Sequence, residues 1–156
     1  MLAEWAKGGW FMSAKLAPRT LFTVASANKA LPLVRAIVQD IVDLYRDVRE
    51  REERLNALRR GSTGKPQQDD PYSEEVEQIR SELEKDVEKL EGFVEELADL
   101  GVEFKDPAMG LVDFPAAING QEVYLCWKLG ETAVEFWHTH EAGFQGRQRL
   151  EEPAAE

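Results

Sequence analysis

Both histidines of this chain fall in one short stretch, residues 134–148, which reads VEFWHTHEAGFQGRQ. His138, His140 and Glu141 crowd together there, and Arg147 follows after a pair of glycines. Histidines two apart on a strand point to the same face. With one more carboxylate, that spacing can seed a divalent-metal site, because neutral imidazole and carboxylate both suit borderline cations. The commoner fate of such a histidine is a partly buried ring satisfied by hydrogen bonds. Arg147 can clamp a carboxylate or phosphate through two N–H groups; more often such an arginine ties the chain end back, here to an acidic helix. Cys126 is the one cysteine, so no internal disulfide forms and a reducing compartment suits it. No cation is evidently placed to depress its pKa, which makes a nucleophilic role weak. Phosphate loop, nucleophile elbow, HExxH helix and dinucleotide fingerprint are all missing from the chain.

Whatever these groups do, the rest of the chain must position them. At 156 residues it has the length of one domain. A formal net charge of −11 argues against a nucleic-acid partner and against anionic membrane surfaces. No apolar run approaches the roughly 18 residues of a membrane span. The expectation is a cytoplasmic protein with no nucleic acid or membrane partner. The opening, MLAEWAKGGWFMSAK, is broken by Glu4, Lys7 and two glycines and lacks a continuous signal-peptide core. Residues 1–18 are expected to be a flexible extension, 19–150 a single α+β domain, and 151–156 a flexible tail.

Thr23 suits the cap of a short helical turn, and Pro32 suits the first turn of a longer helix. From there Val34, Ile37, Val38, Ile41, Leu44, Tyr45 and Val48 recur at helical spacing, with Leu55 and Leu58 continuing more sparsely. A polar stretch, GSTGKPQQDDP, reads as a loop. Val76, Ile79, Leu83, Val87, Leu90, Phe93, Leu97 and Leu100 then repeat close to every 3.5 residues, the coiled-coil period, until Gly101. Two helices of roughly 28–30 residues, about 42–45 Å each, should form a long antiparallel hairpin over residues 32–101. Arginines crowd the end of the first helix and acids the second, so opposite charges should pair within the hairpin or between subunits. Its distal half, with Leu55, Leu58, Val76 and Ile79, looks too apolar to stay uncovered. A homodimer through the hairpin, with four helices side by side, would cover it.

After Gly101 the period changes to two, and residues 102–140 read as a small antiparallel β-sheet meander packed on the hairpin. Asn119-Gly120 is a strong two-residue hairpin turn, and Gly130-Glu131 marks a second tight connection. If both loops hold two residues, Val112, Phe114, Ala116, Val123, Leu125, Trp127, Val134, Phe136 and His138 share an apolar face towards the helices. The other face then carries the row Asp113–Cys126–Glu135, followed by Pro115–Tyr124–Trp137. That row is either a proton- or metal-binding group or an outer face with a small buried thiol. A slip of one residue in either turn destroys it.

The segments FTVASANKALPLVR, GLVDFPA, VYLCWKLGE and FWHTHEAGFQGRQ resemble the bacterial family known as domain of unknown function 2203, over nearly all of residues 21–148 except the inter-helix loop. The matching positions run from Ala27, Asn28, Leu31 and Pro32, through Gly110 to Pro115, to Cys126, Trp127, Gly130 and Glu131, and end with Trp137, His138, Glu141, Gly143, Phe144, Gly146 and Arg147. His140 and Glu135 do not look like family positions, which favours His138 with Glu141 as the metal pair. The resemblance implies a helical hairpin with a small sheet and brings no reaction. Three functions stay open: an interaction or scaffold module built on the hairpin; a small metal-binding protein or enzyme; and a binder of a small acidic ligand through Arg147. The second would use Asp113, Cys126, Trp127, Glu131, Trp137, His138, Glu141 and Arg147, with a divalent metal as the cofactor that the cluster could hold.

Overall fold

A computed structural model describes residues 21–61 and 71–151. The extension expected over residues 1–18, most of the inter-helix loop and nearly all of the tail lie outside the described residues. Helix α1 spans Val24–Gly61 and helix α2 spans Pro71–Asp99. Five strands follow: β1 Glu103–Asp106, β2 Leu111–Ile118, β3 Gln121–Lys128, β4 Phe136–His138 and β5 Gln148–Arg149, with a 3-10 turn at Phe144–Gly146 between the last two. The strands form one antiparallel meander in chain order, and the α+β class is as expected. None of the described helices is long and apolar enough to cross a membrane.

Helix α1 starts at Val24 rather than at Pro32. A reciprocal cap explains the earlier start: the Ser26 N–H donates to Thr23 Oγ1 at 3.0 Å and the Thr23 N–H donates to Ser26 Oγ at 2.8 Å. Pro32 lies inside the helix and withholds one backbone donor. Burial of Ala27 and Leu31 in the turns around it offsets that loss. At the other end of the hairpin, α2 closes as the apolar pattern implies. Gly101 adopts φ 88°, its N–H donates to the Ala98 carbonyl at 2.9 Å, and the Val102 N–H donates to the Leu97 carbonyl at 3.0 Å. This is the Schellman arrangement, which needs a left-handed residue after the helix.

The hairpin buries its own stripe: Val38, Ile41, Val48 and Leu55 from α1 lie in one core with Ile79, Leu83, Leu90 and Leu97 from α2. The opposite charges do pair along it. Arg51 bridges to Asp86 and, at 3.7 Å, to Glu82; Arg54 meets Glu75 at 2.7 Å. Pairs as exposed as Arg54–Glu75 contribute only about 0–1 kcal/mol each. Helix α1, with 38 residues, is about 57 Å long, while the eight-residue strands reach only about 27 Å, so part of the hairpin extends past the sheet.

Between β2 and β3 the register is the one counted from the Asn-Gly turn: Ile118 faces Gln121, Phe114 faces Leu125 and Asp113 faces Cys126. Asn119 and Gly120 both take positive φ, 51° and 79°, as a type I′ turn demands. Gly110 sits where α1 presses on the β1–β2 turn. A Cβ there would stand 2.8 Å from Leu129 Cβ and 3.0 Å from Val38 Cγ1, at φ +68°.

The second connection differs from expectation. Residues 129–135 form an irregular loop, not a two-residue turn, and β4 pairs one residue out of the expected register: Leu125 faces Trp137, Cys126 faces Phe136 and Tyr124 faces His138. Trp137 therefore joins the helix-facing side and His138 the outer side, the reverse of the expected arrangement. The cause is tertiary. Asn28 of α1 accepts the Val134 N–H at 2.8 Å and donates to the Val134 carbonyl at 3.4 Å, and Arg35 donates to the Thr132 carbonyl at 3.1 Å. The helix takes the place of a strand partner for this segment, which then enters the sheet one residue late.

Candidate functional site

The slip dismantles the row Asp113–Cys126–Glu135 and assembles another group. Glu135 leaves the row and pairs with Arg149 at 2.8 Å near the surface. Phe136 takes its place beside Cys126, and His138, two residues on, reaches back diagonally across the sheet. Its Nε2 lies 3.0 Å from Asp113 Oδ1, and its Nδ1 lies 2.7 Å from the Thr139 carbonyl oxygen. Asp113 and His138 are each 3% exposed and Cys126 is 0% exposed. One ligand atom from each of the three lies within 4.8 Å of the others.

The hydrogen bonds fix the ring. A carbonyl oxygen only accepts, so Nδ1 carries a proton. The remaining proton lies between Nε2 and the Asp113 carboxylate, and the pair is neutral overall wherever it sits. Burial raises the Asp113 pKa, and the charge and hydrogen bond of His138 pull it back down, with Lys105 helping and Glu103 opposing. The Cys126 thiol is pushed up to about 12 by burial and then by the Asp113 charge, against the lowering pull of Arg147. Cys126 is thus a protonated thiol at neutral pH, unsuited to act as a free nucleophile.

Beyond this group, the chain turns through residues 139–147 and returns as β5 along the edge of β4, which brings Arg147 over Phe136 on the outer face. Arg147 Nη2 donates to both carboxylate oxygens of Glu131 at 2.8 Å. Its guanidinium stacks 3.8 Å from the Phe136 ring centroid and 4.9 Å from that of Phe144. Arg147 does tie the chain end down, but to Glu131 rather than to an acidic helix. Glu131 is itself held by the Lys128 N–H, at 2.9 Å. His140 stacks on Tyr124 at 4.4 Å and makes no part of the buried group.

The other candidates divide clearly. Glu141 is exposed in the turn after β4 and lies outside the three-residue group, while His138 hydrogen-bonds Asp113 beside Cys126. Trp127 is fully buried on the helix side, its indole N–H donating to the Glu131 carbonyl at 3.0 Å with Arg35 over its ring. Trp137 borders a different cavity, of about 680 Å³, with Thr23, Val24 and Arg149. Asn28 was visible only as a position of the resemblance, and its structural task, pinning the loop at Val134, has no local sequence signal.

Comparison with known proteins bears on the same residues. A family model described as "Uncharacterized conserved protein (DUF2203)" matches residues 20–150. The chain belongs to this family. No curated protein and no solved structure matches it. The resemblance seen in the DUF2203 motifs now has physical content: Asn28 and Gly110 set how α1 meets the sheet, Glu131 and Arg147 hold the covering segment, and Asp113, Cys126 and His138 form the buried group.

Proposed function

We propose that this chain is a metal-binding protein whose Asp113, Cys126 and His138 hold one divalent cation of the zinc class. The observation that carries the reading is the buried convergence of a carboxylate, a thiol and an imidazole within 4.8 Å, on the side of the sheet facing away from α1 and α2. The ring is already oriented for the task. Nδ1–H donating to the Thr139 carbonyl leaves Nε2 as the ligating nitrogen, the usual support of a metal-bound histidine. Charge also fits. A doubly charged cation with one carboxylate and one thiolate is neutral, which a buried site requires. Thiolate and imidazole favour zinc-like ions over magnesium or calcium. Elemental analysis of purified protein, repeated after zinc loading and dialysis, should give about one ion per chain. His138→Ala and Cys126→Ser should each weaken retention on the order of 10- to 100-fold. Metal-free wild type after loading sinks the reading.

A second reading keeps the hairpin as an interaction module that joins two copies. In its favour, Leu58, Val76, Val87 and Phe93 are only partly covered in one chain. Against it, Leu55 and Ile79, which were expected to need an outside cover, are already 7% and 8% exposed. Binding of an acidic ligand through Arg147 is the weakest of the three, because Glu131 already occupies its guanidinium.

A further inference from the structure

We infer that segment 139–150 is a latched cover over the Asp113–Cys126–His138 group, and that the Arg147–Glu131 contact sets the rate at which an ion enters and leaves. The inference rests on the metal reading above and assigns its gate. With its three ligand residues 3%, 0% and 3% exposed, the site gives an ion no open route. The helix-facing route is closed by Phe114, Leu125 and Trp127, each at most 1% exposed. Passing between β2 and β3 would break a ladder that pairs every residue from Leu111 to Ile118.

The outer side is held more lightly. Strand β5 has two residues, the 3-10 turn has three, and none of the residues from 139 to 150 is fully buried. Segments with so little buried surface open locally at small cost. Arg149 also reaches back to the sheet, but its side chain is 72% exposed and its pair with Glu135 is screened by water. Arg147 differs: its side chain is 13% exposed, bonded to both oxygens of Glu131 and stacked on Phe136, the cross-strand neighbour of Cys126. Lifting it would bare the ring that stands beside the thiol. Its Nε is buried without a hydrogen-bond partner, so the closed cover carries an unmet donor that opening would hydrate. That unmet donor offsets part of the hold that the Glu131 pair and the Phe136 stack provide.

Two readouts on the full chain test this. In metal-free protein, the rate of Cys126 labelling by a small disulfide reagent reports opening without reference to any ion. In zinc-loaded protein, stopped-flow transfer to a chromophoric chelator reports release. Arg147→Ala and Glu131→Gln should raise both rates on the order of 10- to 100-fold, while Arg149→Ala leaves both near wild type. Glu131→Gln keeps an oxygen for the Lys128 N–H, so it guards against simple misfolding, and far-UV circular dichroism checks both variants. Unchanged labelling in both latch variants overturns the cover, whether or not zinc binds. Equal acceleration by Arg149→Ala overturns Arg147 as the latch. Faster labelling with no zinc retained by any form overturns the metal reading and the ion-entry role together.

Discussion

Cys126 and the Asp113–His138 pair divide the work of a single buried site. The thiol keeps its proton because burial disfavours the thiolate, and the charge of Asp113 beside it disfavours it further. Its pKa in the fold, about 12, lies above the ordinary 9.0, so the stability tied to the neutral thiol is complete below about pH 9 and is lost as pH climbs towards 12. Wild type should thus lose stability between pH 9 and 11 faster than Cys126→Ala, by a few kcal/mol at most. Urea unfolding of both proteins at stepped pH reads the difference, and parallel curves would contradict it. The same protons bear on metal binding. One leaves the Asp113–His138 hydrogen bond and one leaves the thiol, so zinc should release about two protons per ion at neutral pH. Calorimetry in buffers of different ionisation enthalpy measures that number. A value near zero would mean that the ion, if bound, sits elsewhere.

The β3–β4 connection matters more to the site than any single ligand. Asn28 supplies, through one side chain, the acceptor and donor that a neighbouring strand would have offered Val134, and this delay shifts β4 by one residue. Because side chains alternate along a strand, that shift carries His138 from the helix side to the side of Asp113 and Cys126. Asn28→Ala leaves the Val134 N–H buried without its partner and should cost about 1–3 kcal/mol. It should also expose the Val134 amide to hydrogen exchange and loosen the His138–Asp113 contact. Unaltered exchange at Val134, together with wild-type unfolding midpoints, would show that the loop holds its shape without Asn28.

Taken together, the chain combines a sheet end that carries the buried group with a hairpin that reaches past it. The charged distal hairpin closes its own apolar stripe over Leu55, Ile79 and Leu83. Large apolar side chains that remain exposed among the described residues, Leu21, Leu33, Leu100 and Met109, lie elsewhere. The drive for a second copy is therefore smaller than the heptad pattern alone implies, and the partly covered Leu58, Val76, Val87 and Phe93 must supply it. For the dimer reading, light scattering at micromolar concentration should return a mass of two 17.7 kDa chains. A single-chain mass that does not change with concentration removes it and leaves the hairpin as a charged arm.

The heptad stripe, the Gly101 stop and the Asn119-Gly120 turn were sufficient to specify the hairpin and the β2–β3 register, but not the β3–β4 register or β5, which lies beyond the 102–140 expected for the sheet. Each is a local rule, in which residues a few positions apart decide one another's conformation. The same count put Asp113 beside Cys126, half of the buried group. What it could not reach was His138. Its side of the sheet depends on a hydrogen bond between Asn28 and Val134, 106 positions apart, and no periodicity encodes a contact of that range. A buried thiol was one of the two readings of the Asp113–Cys126 row, but the partners of Arg147 came from the fold, because residues 139–147 have no regular pattern and take their place only by packing. Local patterns specify elements whose residues are neighbours in the chain. This site takes its three residues from three strands, and only packing brings His138 to the other two.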